Sequence, residues 1–221
     1  MIAHVESVAA KSTAPTYELK IVLLGVKPLI WRRLQVPGIA NLGWLHAVLQ
    51  TAMGWTNSHL HHFLTSVARY SDPRSMDDLG FGDEPDRDET KALLSEVAPR
   101  KGVRFGYEYD FGDSWEHEIR VERILPPGSV ATTAAVCLGG ARACPPEDCG
   151  GIWGYANLLD VLKNPKHPEH KGMKEWIGGS FDAEAFDLSG TNFWLGKLKW
   201  PRVTDAQLRK VLMGRDNYTD E

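Results

Sequence analysis

The chain has no apolar run approaching the roughly 18 residues that a membrane-spanning helix needs. Its first residues, MIAHVESVAAKSTAPTYELK, carry an early glutamate and no apolar stretch of the kind a secretory signal requires. The expectation is a cytoplasmic protein without a membrane partner. Cysteine is scarce: Cys137, Cys144 and Cys149 are all there is. An odd, small number in a chain this long excludes a disulfide framework and fits a reducing compartment. Positive charge is also short, with a net charge of −4 and a pI near 6.1. A protein that grips nucleic acid through many phosphates is basic on at least one face, so any such contact here needs a local patch. Arg32-Arg33, beside Trp31, form one candidate. The C-terminal stretch, with Lys197, Lys199, Arg202, Arg209, Lys210 and Arg215, forms another. Gly-x-Ser-x-Gly, His-Glu-x-x-His, the Walker lysine loop and the zinc-deaminase pattern are all missing, which removes the enzyme classes they mark.

Aromatic residues are plentiful. Eight tryptophans in 221 residues point to a core built partly on ring packing, or to an aromatic binding surface. Residues 1–15 read as a loose leader and 16–221 as a single domain. TYELKIVLLG (16–25) and LIWRRLQV (29–36) read as strands, separated by Pro28. Asn41 caps a helix with Leu42, Leu45, Leu49 and Ala52 on one stripe, ended by Gly54. HLHHFLTSVARY (59–70) alternates as one strand. The acid-rich segment 71–91 is a solvated loop, and LLSEVA (93–98) a helical turn. Residues 126–151 are rich in proline and glycine. Helices are expected over 152–162, about 168–177 and about 204–213, with a shorter piece between Asp187 and Lys199. Strands first and helices later make an α+β fold, with an antiparallel or mixed sheet and helices packed on one face.

YEYDFGDSWEHEI (107–119) is a hairpin whose register can be tested by pattern. A two-residue turn mixes charge and apolar groups on both faces. A loop of Gly112, Asp113 and Ser114 instead pairs Phe111 with Trp115, Tyr109 with His117 and Tyr107 with Ile119, and leaves one aromatic face to bury. His117 then lies among rings, either as a core histidine bonded to a hydroxyl or carbonyl or as a base or ligand in an apolar pocket. The other face opposes Asp110 to Glu116 and Glu108 to Glu118. Opposed like charges are unfavourable, so that face needs solvent, Arg32 or Arg33, or a divalent cation.

Cys144-Pro-Pro-Glu-Asp-Cys149 sets two thiols at the outer limit of zinc-ligand spacing. Cys137, His59, His61, His62 and His117 could complete such a site; the alternative is a rigid proline turn with reduced thiols. His59 and His61 share a strand face, a spacing that fits either a second metal pair or polar positions on an edge strand. Arg32 and Arg33 alternate faces, which reads either as one paired with an acid and one in solvent or as a phosphate contact.

The stretches LIWRRLQVP, LHAVLQTAMGWTNSHLHHF, YEYDFGDSWEHEI and CPPEDCGGIWGY together resemble the plasmid pRiA-four-b Orf-three-like family, some of whose members carry the label insertion-sequence passenger, TnpR-like. The family's Asp-Phe-Gly-Asp motif falls on Asp110, Phe111, Gly112 and Asp113, and its Cys-Pro-Pro-Glu-Asp motif on Cys144 through Asp148. The resemblance implies an α+β domain and a plasmid or transposon context. A serine resolvase would add a nucleophilic serine among arginines and a basic helix-turn-helix; the sequence offers neither.

Two functions are compatible with these residues. One is an accessory protein of a mobile element that binds a protein or nucleic acid partner. The other is a metal-dependent hydrolase, acting for instance on phosphodiesters, with Asp110, Asp113, His117, Glu147 and Asp148 as carboxylates and base and zinc or another divalent cation as cofactor. The second requires the Asp-Phe-Gly-Asp turn and the Cys-Pro-Pro-Glu-Asp loop to meet in one cleft.

Overall fold

The structure is a computed structural model that describes residues 14–75, 85–128 and 134–198. Most of the leader, and the helix expected over 204–213 with its basic residues, lie outside the described residues. Eight strands form one sheet: β1 (Thr16–Leu23), β2 (Trp31–Pro37), β3 (His61–Leu64), β4 (Arg69–Ser71), β5 (Arg87–Asp88), β6 (Arg104–Tyr109), β7 (Trp115–Leu125) and β8 (Val136–Ala141). Their order across the sheet is β5-β4-β3-β6-β7-β1-β2-β8. The short β4–β5 pair is parallel and the other neighbours are antiparallel. Among the described residues, five α-helices accompany the sheet: α1 (Leu42–Met53), α2 (Leu94–Val97), α3 (Gly151–Lys163), α4 (His170–Trp176) and α5 (Leu188–Leu195). The fold is α+β with a mixed, mostly antiparallel sheet. Among the described residues, no helix is long and apolar enough to cross a membrane.

Period-two patterning decides which face of the sheet is buried. Tyr17, Leu19, Ile21 and Leu23 of β1 are fully buried, as are Trp115, Ile119 and Val121 of β7. They form one core with Leu45, Val48 and Leu49 of α1. The opposite face is laced with charge. Arg33 pairs with Glu122, and Glu18 with Arg123 and Gln35. Asn41 accepts the N–H of Trp44 at 2.8 Å, and Gly54 closes α1 in the left-handed conformation.

The hairpin buries the expected face, but its register is two residues away from the pattern-based one. Tyr109 opposes Trp115, Tyr107 opposes His117 and Phe105 opposes Ile119, around a five-residue loop, 110–114. A shift of two keeps every side chain on its own face, so patterning could not distinguish the registers. Asp110 settles the matter. Its backbone is left-handed (φ 58°), and its Oδ1 accepts the N–H groups of Gly112 and Asp113. Glu108 consequently opposes Glu116. It is relieved by the Ser114 hydroxyl at 2.7 Å, with His62 Nε2 at 3.0 Å but not in aligned hydrogen bond, and not by Arg32 or Arg33.

Two further expectations are corrected. The run 59–70 is β3 and β4 joined by a turn, in which the Thr65 hydroxyl bonds Val67 N–H, Ala68 N–H and Ala68 C=O. The glycine-rich segment contains β8. This edge strand is clasped from outside by α5: Asn192 accepts the Cys137 N–H at 2.8 Å and donates to the Cys137 carbonyl at 2.9 Å.

Candidate metal centre

The end of β6, the starts of β3 and β7 and the loop after β8 lie at one end of the sheet. There the two motif loops and the α1–β3 connection meet. Glu147 is the main clamp. Its Oε1 accepts the Thr56 N–H at 2.8 Å, the Thr56 hydroxyl at 3.0 Å and the Tyr109 hydroxyl at 3.0 Å. Tyr109 in turn accepts the Ser58 N–H at 3.0 Å. Burial raises the Tyr109 phenol well above its usual pKa, so it stays a donor. Trp55 adds an indole N–H bond to the Pro145 carbonyl at 2.9 Å. Asp113 reaches across from the hairpin loop, and its Oδ2 accepts the Gly150 N–H at 3.1 Å.

His59 stands in the middle of this junction. Its Nε2 lies 3.1 Å from Asp148 Oδ1, 3.6 Å from Asp110 Oδ2 and 3.9 Å from Glu147 Oε2. That nitrogen is buried and forms no aligned hydrogen bond. His59, Asp110 and Asp148 can each direct one ligand atom to a common point, with all three atoms within 4.8 Å of one another. One imidazole and two carboxylates form the mixed nitrogen–oxygen donor set that suits zinc or manganese. Both aspartates have left-handed backbones, Asp110 at φ 58° and Asp148 at φ 57°, and Asn57 does too, also at φ 58°. Such conformations cost energy and gather where structure serves a site.

A cleft of about 510 Å³ adjoins the cluster. It runs from Asp148 and Cys149 between α3 and α4.

The structure thus brings Asp110, Asp113, Glu147 and Asp148 together. His117 lies elsewhere. It is in the core against Trp55 and Tyr107, with Nδ1 3.2 Å from the Tyr107 carbonyl. Burial lowers its pKa to about 4, so it is a neutral core histidine and not a member of the cluster. Cys144 and Cys149 are also outside the cluster. Burial pushes both thiols up to about 12. Cys144 faces the Arg32 guanidinium at 3.9 Å.

Arg32 is not placed for phosphate. It is buried, its five N–H groups engage the carbonyls of Ala52, Trp31, Ala141 and Arg142 and the Cys144 sulfur, and it stacks on Phe186. Arg33, on the opposite face, is engaged by Glu122.

Sequence reasoning named His59 only as a partner for His61 or the cysteines. His61 turns instead to Glu89 at 2.8 Å and stacks on His46. The Asn57-Ser58 pair ahead of His59 was the available signal, since such residues break a strand and re-aim the next side chain.

The plasmid pRiA4b ORF-3-like protein family matches residues 15–190. An uncharacterized protein of Sinorhizobium fredii, y4hQ, is 41% identical over 192 residues, covering 86% of this chain and 96% of the relative. A crystal structure of a protein of unknown function from Methanosarcina mazei superposes with a TM-score of 0.69 at 37% identity, covering 79% of this chain and 96% of that one. On a match of this extent, joined to a relative similar along nearly its whole length, the chain belongs to the plasmid pRiA4b ORF-3-like family.

Proposed function

We propose that the chain is a divalent-metal-dependent hydrolase whose centre is His59, Asp110 and Asp148. The observation that carries this reading is the His59 nitrogen, surrounded by carboxylates from two separate motif loops and in aligned hydrogen bond to none of them. His59 Nε2, Asp110 Oδ2 and Asp148 Oδ1 would hold the ion. When bound, the metal would lower the pKa of a water and polarise a carbonyl or phosphoryl oxygen. Glu147 is the candidate base. Thr56 and Tyr109 fix its Oε1, and Oε2, 3.2 Å from the Tyr109 hydroxyl, stands 3.9 Å from His59 Nε2. Asp113 is a positioning residue, because it holds the Asp148–Gly150 backbone against the hairpin loop. The test is calorimetric titration and elemental analysis with Zn²⁺ and Mn²⁺, on protein purified without a histidine tag. One ion per chain is expected, lost in His59→Ala and in Asp148→Asn. The loaded protein should then hydrolyse one member of a panel of nitrophenyl esters, anilides and phosphodiesters, and Glu147→Gln should abolish that turnover while keeping the metal. Absence of stoichiometric metal would sink the reading.

A second reading, the accessory binding module, is favoured by a different observation. Trp153, Phe193 and Trp194 are exposed by 86%, 57% and 62%. Lys197 stands 4.9 Å from the Phe193 ring centre. Exposed rings beside a cation are how single-stranded nucleic acid is stacked. Titration with an oligonucleotide, followed by tryptophan fluorescence, should show binding that weakens steeply with salt; salt-independent or absent binding would remove this reading.

A further inference from the structure

The cleft between α3 and α4 has a consistent chemistry. Leu158, Met173 and Trp176 supply hydrocarbon, thioether and ring, while Asp148 and Glu169 supply two carboxylates. Asn157 adds a neutral amide. Among the described residues, no lysine or arginine lines it. Lys171 and Lys174 of α4 are exposed and not among the lining residues, and Lys171 pairs with Glu175 at 3.9 Å. The volume of about 510 Å³ is that of a small-molecule site.

An anionic ligand would meet two carboxylates there and, among the described lining residues, no compensating cation. A ligand with an ammonium group on an apolar body would satisfy both features. Its charge faces Asp148 and Glu169, and its body lies on Leu158, Met173 and the Trp176 ring, which attracts a cation to its face. We propose that this cleft binds small organic amines of that kind. The inference rests on the hydrolase reading in one respect: the amine would present its neighbouring bond to the centre that shares Asp148. The cleft thereby points to aminoalkyl or aminoacyl esters and amides as the substrate class, and away from polyanions.

The probes are phenethylamine and 3-phenylpropionate, matched in size and opposite in charge, titrated calorimetrically at low salt. The amine is expected to bind about fivefold more tightly than the carboxylate, the scale of two partly exposed ion pairs with a ring contact. The preference should shrink in Glu169→Gln, a residue outside the metal cluster, and Gly172→Leu, which fills the cleft, should lose the amine altogether. Equal binding of the two probes, or binding of neither, would overturn the proposal. Zn²⁺ titration of the same samples separates the two ideas. Metal bound without amine preference leaves the hydrolase reading standing and the cleft reading refuted. Amine preference without metal does the reverse.

Discussion

Asp113 Oδ2 accepts the Gly150 N–H at 3.1 Å, and this bond joins the Asp-Phe-Gly-Asp loop to the Cys-Pro-Pro-Glu-Asp loop. Both loops contribute a ligand to the proposed centre, so the bond would fix one ligand relative to the other. Asp113→Ala should therefore weaken Zn²⁺ binding by about 10- to 100-fold, the usual cost of losing an outer-shell partner. Calorimetric titration checks the affinity, and an unchanged melting temperature would separate positioning from folding. Unchanged affinity would place Asp113 outside the site.

Gly151 is the steric counterpart of that contact. It has φ 67°, and a Cβ added there would meet the Asp113 carbonyl oxygen at 2.6 Å. Backbone on both sides cannot give way easily. Gly151→Ala should cost about 1–3 kcal/mol, from a left-handed backbone and a main-chain clash together. Urea unfolding measures it; a loss below about 0.5 kcal/mol would mean that the loops separate freely.

The two neighbouring arginines should behave oppositely. Arg32→Ala leaves four carbonyls without their donor, and the two in buried bonds, of Ala52 and Arg142, cost about 1–3 kcal/mol each. Arg32→Lys should not rescue it, since an ammonium cannot reproduce the planar fork. Arg33→Ala removes a partly exposed ion pair with Glu122 and should cost no more than about 1 kcal/mol. Chemical denaturation of the three variants gives the ranking. Equal effects at positions 32 and 33 would contradict the burial argument.

Two buried histidines set an acid limit. Burial holds His46 down to about 3 and His117 to about 4, against an ordinary value of 6.5. Between those values the unfolded chain binds protons that the native chain does not. Their contribution is complete above about pH 6.5 and is lost as pH falls toward 4 and then 3, by up to about 1.4 kcal/mol per pH unit for each histidine. Urea midpoints measured from pH 8 to 4 should fall on the acid side, and His117→Gln should flatten that limb. An unchanged limb in the variant would show that His117 titrates normally.

The features legible in the sequence are those that local rules govern. β1, the Asn41-to-Gly54 helix and the buried face of the hairpin come from period, cap and alternation. The hairpin register did not, because the deciding bonds are those of the Asp110 side chain to Gly112 and Asp113. Thr65 hid the β3–β4 turn in the same way, since its neighbours continue the alternation. The carboxylates Asp110, Asp113, Glu147 and Asp148 were legible as motif residues. The central place of His59 was not, because it depends on three segments meeting in space. Arg32 was misread for the opposite reason: an arginine on a strand is normally at the surface, and only long-range carbonyls explain its burial.

The clasp of Asn192 on Cys137 has a bearing on how the protein lives among others. The terminal strand of an open sheet is a template on which a foreign extended segment can anneal, and from which fibres can grow. The Asn192 carboxamide imitates the peptide group of the strand that would come next, with donor and acceptor both in place. One side chain thus occupies the first rung that an intruding chain would need, and the sheet stops growing at β8.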